Sequence, residues 1–128
     1  VNSHFLHPDD VLDEDRGAAK GWEAMRNRLG EYMDWLYTAA PEIRNLTGTE
    51  MAGAVQRYYY LDPLVEEGDG EIAIHLSNFQ DEAWLFARVN RGTVSQVING
   101  TATEVAEDLY LVQALENEVI LKLSYEDE

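Results

Sequence analysis

The chain has 128 residues, 45% of them hydrophobic, and carries 25 acidic against 9 basic side chains for a formal net charge of −16. That is enough apolar material for one compact domain or two small packed units, whereas Lys and Arg are too sparse and dispersed for nucleic acid to be a partner. With no Cys there is no disulfide framework, thiol nucleophile or Cys-ligated zinc, and no apolar run approaches the roughly 20 residues of a membrane span.

Residues 1–15 begin as a short alternating stretch, Val1, Ser3 and Phe5 against Asn2, His4 and Leu6, and break at Pro8 into an acidic turn. This is the pattern of a strand end feeding a loop. Val1-Asn2-Ser3 is neither an initiator Met nor a charged signal-peptide start, so the chain is expected to begin inside a longer one. Asp13-Glu14-Asp15 lacks the Gly and downstream Glu of a calcium loop and reads as the cap of the helix that follows. From about Gly17 to Ala39, apolar residues recur at Trp22, Met25, Leu29, Tyr32, Met33 and Leu36. That three-and-four spacing predicts a helix of about six turns, stopped at Pro41. Thr47-Gly48-Thr49-Glu50 has capping-box spacing and announces a second helix, continued by an apolar stripe at Met51, Ala54, Val55 and Tyr58.

At Asp62-Pro63 the period changes. Glu67-Gly68-Asp69-Gly70 is the best candidate boundary, dividing residues 1–67 (strand end, loop and two helices) from a β domain at 68–128. Beyond it, Ile72, Ile74 and Leu76 alternate with Glu71, Ala73 and His75, and Trp84, Phe86 and Arg88 alternate with Leu85, Ala87 and Val89. Val97-Ile98 runs into Asn99-Gly100, a favoured hairpin turn, and Leu109 to Ala114 and Val119 to Leu123 complete the set. The predicted fold class is α+β: an N-terminal helical segment followed by a small antiparallel β-sandwich of five or six strands.

Chemistry concentrates at His4, His7, Asp9 and Asp10. Imidazole nitrogen and carboxylate oxygen could supply part of a divalent-metal site, or a carboxylate-oriented His acting as general acid. The plainer alternative is an ordinary turn at Pro8-Asp9-Asp10 with His4 packed. His75, alone among apolar strand residues, reads as a surface or paired position. Tyr58-Tyr59-Tyr60, Trp84 and Phe86 either pack in the core or offer flat faces to sugar rings, with Tyr59 and Trp84 as the candidate carbohydrate-binding residues.

The run Ser3-His4-Phe5-Leu6-His7-Pro8-Asp9-Asp10-Val11-Leu12-Asp13, then Gly21-Trp22, a long helix, Pro41 with Ile43-Arg44, and Leu46-Thr47 before Glu50, resembles the last part of the deacetylase-like barrel in bacterial exopolysaccharide proteins of the Pel deacetylase-hydrolase type. The β region, with Phe86-Ala87-Arg88-Val89-Asn90-Arg91-Gly92 and Asp108-Leu109-Tyr110-Leu111-Val112, is similar to the β domain appended to such barrels. The resemblance implies a metal-activated water attacking an N-acetyl group, with a His from the last strands, His7 or else His4, as general acid. The class's metal-binding Asp and His-x-x-x-His pair lie on earlier strands that this chain does not contain, so the resemblance also implies that the chain alone is inactive. A second family, the zinc deacetylases of N-acetylglucosaminyl lipids, shares His-Pro-Asp-Asp; on that pattern His7 and Asp10 would bind zinc and Asp9 would be the base. Here Leu6 replaces that family's Ala and Val11 its Glu.

The expected function is thus the C-terminal portion of a metal-dependent polysaccharide deacetylase or glycoside-hydrolase-like protein acting on N-acetylhexosamine exopolysaccharide. It would be bacterial and extracytoplasmic, with a divalent metal, zinc first, and with the upstream barrel of the same polypeptide and the polysaccharide as partners. The alternative is a non-catalytic carbohydrate-binding or structural β module.

Overall fold

The computed structural model describes His7 and residues 9–125; the expected strand end at residues 1–6, including His4, lies outside the described residues. These residues form helices α1 (Gly21–Ala39) and α2 (Gly48–Tyr60), followed by strands β1 (Asp62–Gly68), β2 (Glu71–Ser77), β3 (Ala83–Arg88), β4 (Thr93–Ile98), β5 (Gly100–Ala106), β6 (Leu109–Ala114) and β7 (Glu118–Ser124). The architecture is α+β, helices first and an antiparallel β-sandwich after them. The chain divides into two compact units at Arg44–Asn45. The seam expected at 67/68 instead falls inside the β1–β2 hairpin, where Gly68 pairs with Glu71 and Gly70 turns the chain at φ 79°. The Gly-rich punctuation there marks a tight turn, not a boundary.

In the first unit, a run of turns over residues 9–20 leads into α1. The N-cap of α1 is Lys20, with no side-chain cap hydrogen bond. The acidic triplet is therefore not the helix cap: Asp13 Oδ1 accepts from Asp15 N at 2.9 Å and Asp13 Oδ2 pairs with Arg16 Nε at 3.4 Å. Gly17 is buried because a Cβ there would overlap Met25 Sδ and stand 2.8 Å from the Asp10 carbonyl. The missing side chain lets Met25 of α1 close directly onto the turn.

In the second unit, α2 opens on the capping box foreseen from spacing. Glu50 N donates to Thr47 Oγ1 at 3.4 Å, and Thr47 N donates to Glu50 Oε2 at 2.7 Å. The Thr47 backbone N–H, and after it the Thr47 hydroxyl donating to Glu50 Oε2 at 2.8 Å, hold the Glu50 carboxyl below its ordinary range. The expected stripe is only partly packed: Met51 and Ala54 are half-buried, but Val55 and Tyr58 are exposed. Arg57 sets the packed face instead, its guanidinium 3.0 Å from Glu82 Oε1 and 3.4 Å from Asp81.

Two sheets make the sandwich, one ordered β1-β2-β7-β4 and the other β3-β6-β5. Alternation sends Ile74, Leu76, Val119 and Leu121 inward from the first sheet, and Ala83, Tyr110, Val112 and Ala114 from the second, into one buried cluster with Val89. Val94 and Val97 are three apart and would face opposite ways in a regular strand. A register shift between Val94 and Gln96 sets them opposite Leu123 and Leu121, and both pack on the core. The Asn99-Gly100 turn is not a hairpin. β4 pairs with β7 and β5 pairs with β6, so the chain changes sheets there. Asn99 takes φ 62° and ties both neighbours: its carbonyl accepts from Leu115 N at 2.9 Å and its Nδ2 donates to Glu118 O at 3.0 Å.

Candidate functional site

The residues singled out for chemistry fall on two different units. In the first, His7, Asp9 and Asp10 form a tight turn closed by Asp10 N donating to His7 O at 3.1 Å, and Gly17 N returns to Asp10 O at 3.0 Å. Both Asp10 oxygens are occupied. Arg16 Nη1 donates to Oδ1 at 2.6 Å, and the His7 backbone N–H donates to Oδ2 at 3.2 Å. The Arg16 guanidinium, followed by the His7 backbone bond, holds the Asp10 carboxyl below the ordinary aspartate range. Asp9 Oδ1 is 3.9 Å from His7 Nδ1, beyond hydrogen-bond length. The imidazole is 48% exposed.

This arrangement does not fit a metal held by His7 and Asp10. A cation at Asp10 would sit against the positive charge of the Arg16 guanidinium, and among the described residues no group of three or more His, Asp or Glu side chains is arranged to hold a metal ion. Sequence reasoning missed Arg16. The available signal was a lone cation six residues beyond Asp10, within reach only if the acidic run folded back on itself.

Asp10 is expected to titrate below ordinary aspartates in a carboxyl-carbon NMR titration, and Arg16→Gln to bring its midpoint back to the usual value. Because the folded-state pKa is depressed, the contribution of this pair to the turn is present above the unfolded aspartate value of about 3.9 and is lost as pH falls through the folded value. An Asp10 midpoint indistinguishable from those of exposed aspartates, or one unmoved by Arg16→Gln, would contradict the assignment.

In the second unit, Tyr59 is 79% exposed near the end of α2, with its ring edge-to-face on Tyr60 at 5.2 Å between centroids. Trp84 is half-buried on the outer face of β3. Its indole Nε1 donates to Glu82 Oε2 at 3.1 Å, where Gln113 Nε2 also donates at 3.2 Å. With Arg57 on the other oxygen, Glu82 joins α2, β3 and β6 into one polar network. Trp84 thus has an anchoring role that its position in the alternation did not disclose. His75 is a paired strand residue, its Nδ1 2.9 Å from Glu118 on β7 and its Nε2 3.6 Å from Glu66 on β1.

Among the described residues no helix is long and apolar enough to cross a membrane. No curated protein and no solved structure matches the chain. A family model described as "Uncharacterised protein conserved in bacteria (DUF2194)" matches residues 1–111. The match spans most of the chain and takes in the His7–Arg16 turn, both helices and the strands through β5, so the chain belongs to this bacterial family.

Proposed function

We propose that this chain is the C-terminal portion of a metal-dependent polysaccharide deacetylase or glycoside-hydrolase-like protein that acts outside the cytoplasm on N-acetylhexosamine exopolysaccharide. In this reading the chain supplies a rim and an acid group and is inactive alone. The observation that supports it is the His7 turn: a half-exposed imidazole with a carboxylate at 3.9 Å from Nδ1, on a loop pinned by the Arg16–Asp10 bond. With Asp9 on the Nδ1 side of the ring, Nε2 is the nitrogen left to face a leaving group as general acid. The ligands of the metal, zinc by resemblance, belong to the upstream barrel, since Asp10 is committed to Arg16.

In the parent polypeptide, His7→Ala is expected to lower deacetylation of an N-acetylhexosamine polymer by about 100-fold or more, with the circular dichroism spectrum unchanged. Undiminished activity would sink the assignment.

A second reading, a non-catalytic carbohydrate-binding module, is favoured by the exposed rings of Tyr58, Tyr59, Tyr60 and Phe86. It requires the isolated chain to bind a hexosamine polymer and Tyr59→Ala to weaken that binding. Trp84→Ala is a poorer probe, because it also breaks the bond to Glu82. An absence of binding across a glycan panel would reject this reading.

A further inference from the structure

The cation inventory of this acidic chain points to a ligand site at the opposite kind of charge. Arg16, Arg28, Arg57 and Lys122 are each paired with carboxylates. Arg88 and Arg91, like Lys20 and Arg26, have neither an ion pair nor a side-chain hydrogen bond among the described residues, but these two line one cleft of about 370 Å³ with Glu67, Glu71, Asn90 and Tyr125. Lys122 neutralises Glu71. The cleft is therefore lined by two arginines against a single uncompensated carboxylate, Glu67, in a chain of net charge −16.

The cleft is also built to hold its shape. Gly92, at φ 73°, follows Arg91 so tightly that a Cβ there would lie 2.5 Å from the Ser124 carbonyl and 2.9 Å from the Tyr125 ring. The Arg88–Gly92 turn and the Tyr125 ring are thus seated directly on one another. The ring itself remains 53% exposed.

We propose that this cleft binds a carboxylate-bearing pyranose, a hexuronate unit of a polysaccharide. Guanidinium is the group that grips a carboxylate through paired N–H donors. The open face of Tyr125 suits the C–H face of a sugar ring, and Glu67 and Asn90 offer acceptors to hydroxyl groups. The volume, near the lower end for ligand pockets, admits one such unit. Phosphate shares the affinity for guanidinium but has no ring face for Tyr125 and no hydroxyl groups for Glu67 and Asn90, so the uronate is the favoured occupant. The site lies wholly in the second unit, so it stands or falls independently of the acid role of His7.

The test is titration of the intact chain, followed by amide NMR, with a glucuronate-containing oligosaccharide, its carboxyl-reduced neutral counterpart, and acetate and inorganic phosphate as competitors. The uronate oligosaccharide is expected to shift the amides of residues 88–92 and Tyr125, and the neutral one to leave them in place. Arg88→Gln and Arg91→Gln are each expected to weaken binding about ten-fold, the loss of one charge-assisted contact, and Arg26→Gln on α1 to have no effect. Both arginines are exposed, and thermal melting of the variants confirms that they fold. Binding of the neutral sugar as tightly as the uronate, equal displacement by acetate or phosphate, or no shift at residues 88–92 would each overturn the proposal.

Discussion

Truncating Leu121 to alanine is expected to remove about 2–5 kcal/mol of stability and to lower the melting temperature of the β unit by roughly 10 °C or more. Leu121 is fully buried and is the largest of the side chains with no exposure. It lies on β7, opposite Ile72 of β2 and Val97 of β4, so its methyl groups are shared by three strands that cannot all relax into the vacated space. A net stability of about 5–15 kcal/mol is ordinary for a domain, and this one side chain governs a large part of such a margin. The measurement is urea unfolding followed by tryptophan fluorescence. Leu64→Ala on the exposed edge strand β1 serves as control and should move the midpoint by less than about 0.5 kcal/mol. Comparable effects for the two variants would mean that the buried cluster is not where the fold derives its stability.

The second large effect is expected at Gly100, where the chain leaves one sheet for the other. A Cβ there would overlap the Gln113 carbonyl and meet Val119 Cγ2 at 3.2 Å. The first of these atoms is backbone on the paired strand β6, and the second belongs to the other sheet, so neither can simply rotate away. Gly100→Ala should therefore cost about 1–3 kcal/mol or more through forced backbone displacement. It should also speed hydrogen exchange at the Leu115 amide, which donates to the Asn99 carbonyl beside the mutated residue. An unchanged urea midpoint together with an unchanged Leu115 exchange rate would show that the crossing is looser than its geometry implies.

What the sequence discloses about this fold follows what leaves a periodic trace. The capping box at Thr47–Glu50 is local chemistry, and it forms as its spacing dictates. Strands β2, β3, β6 and β7 alternate because one face of each lines the core. Strand β1 leaves no such trace: every residue in it is exposed, so nothing in its composition had to alternate. Its Pro63 lies opposite Leu76, whose N–H bonds away from β1 to Asn117 O at 2.8 Å, so an edge strand tolerates the missing donor there. Asn99-Gly100 carries a genuine turn signal, but whether such a turn folds a strand back or hands it to another sheet depends on partners far along the chain. At the candidate site, the grouping of His7, Asp9 and Asp10 was legible. The capture of Asp10 by Arg16 was not, since it depends on how turns over residues 9–20 bring the chain around. Arg88 and Arg91 looked unremarkable for a similar reason: that they line one cleft becomes visible only once β3, the turn after it and Tyr125 have been placed.

The position of β7 bears on how the protein is made. Among the described residues it is the last strand in sequence, yet it sits in the interior of the four-stranded sheet, hydrogen-bonded to β2 on one side and β4 on the other. As synthesis proceeds from the N-terminus, the flanking strands emerge from the ribosome first and wait, their inner edges open, for the strand that joins them. The hairpin β1–β2 and the sheet β3-β6-β5 are complete by residue 114, so the late docking of β7 is the step at which half-made chains are exposed to pairing with one another.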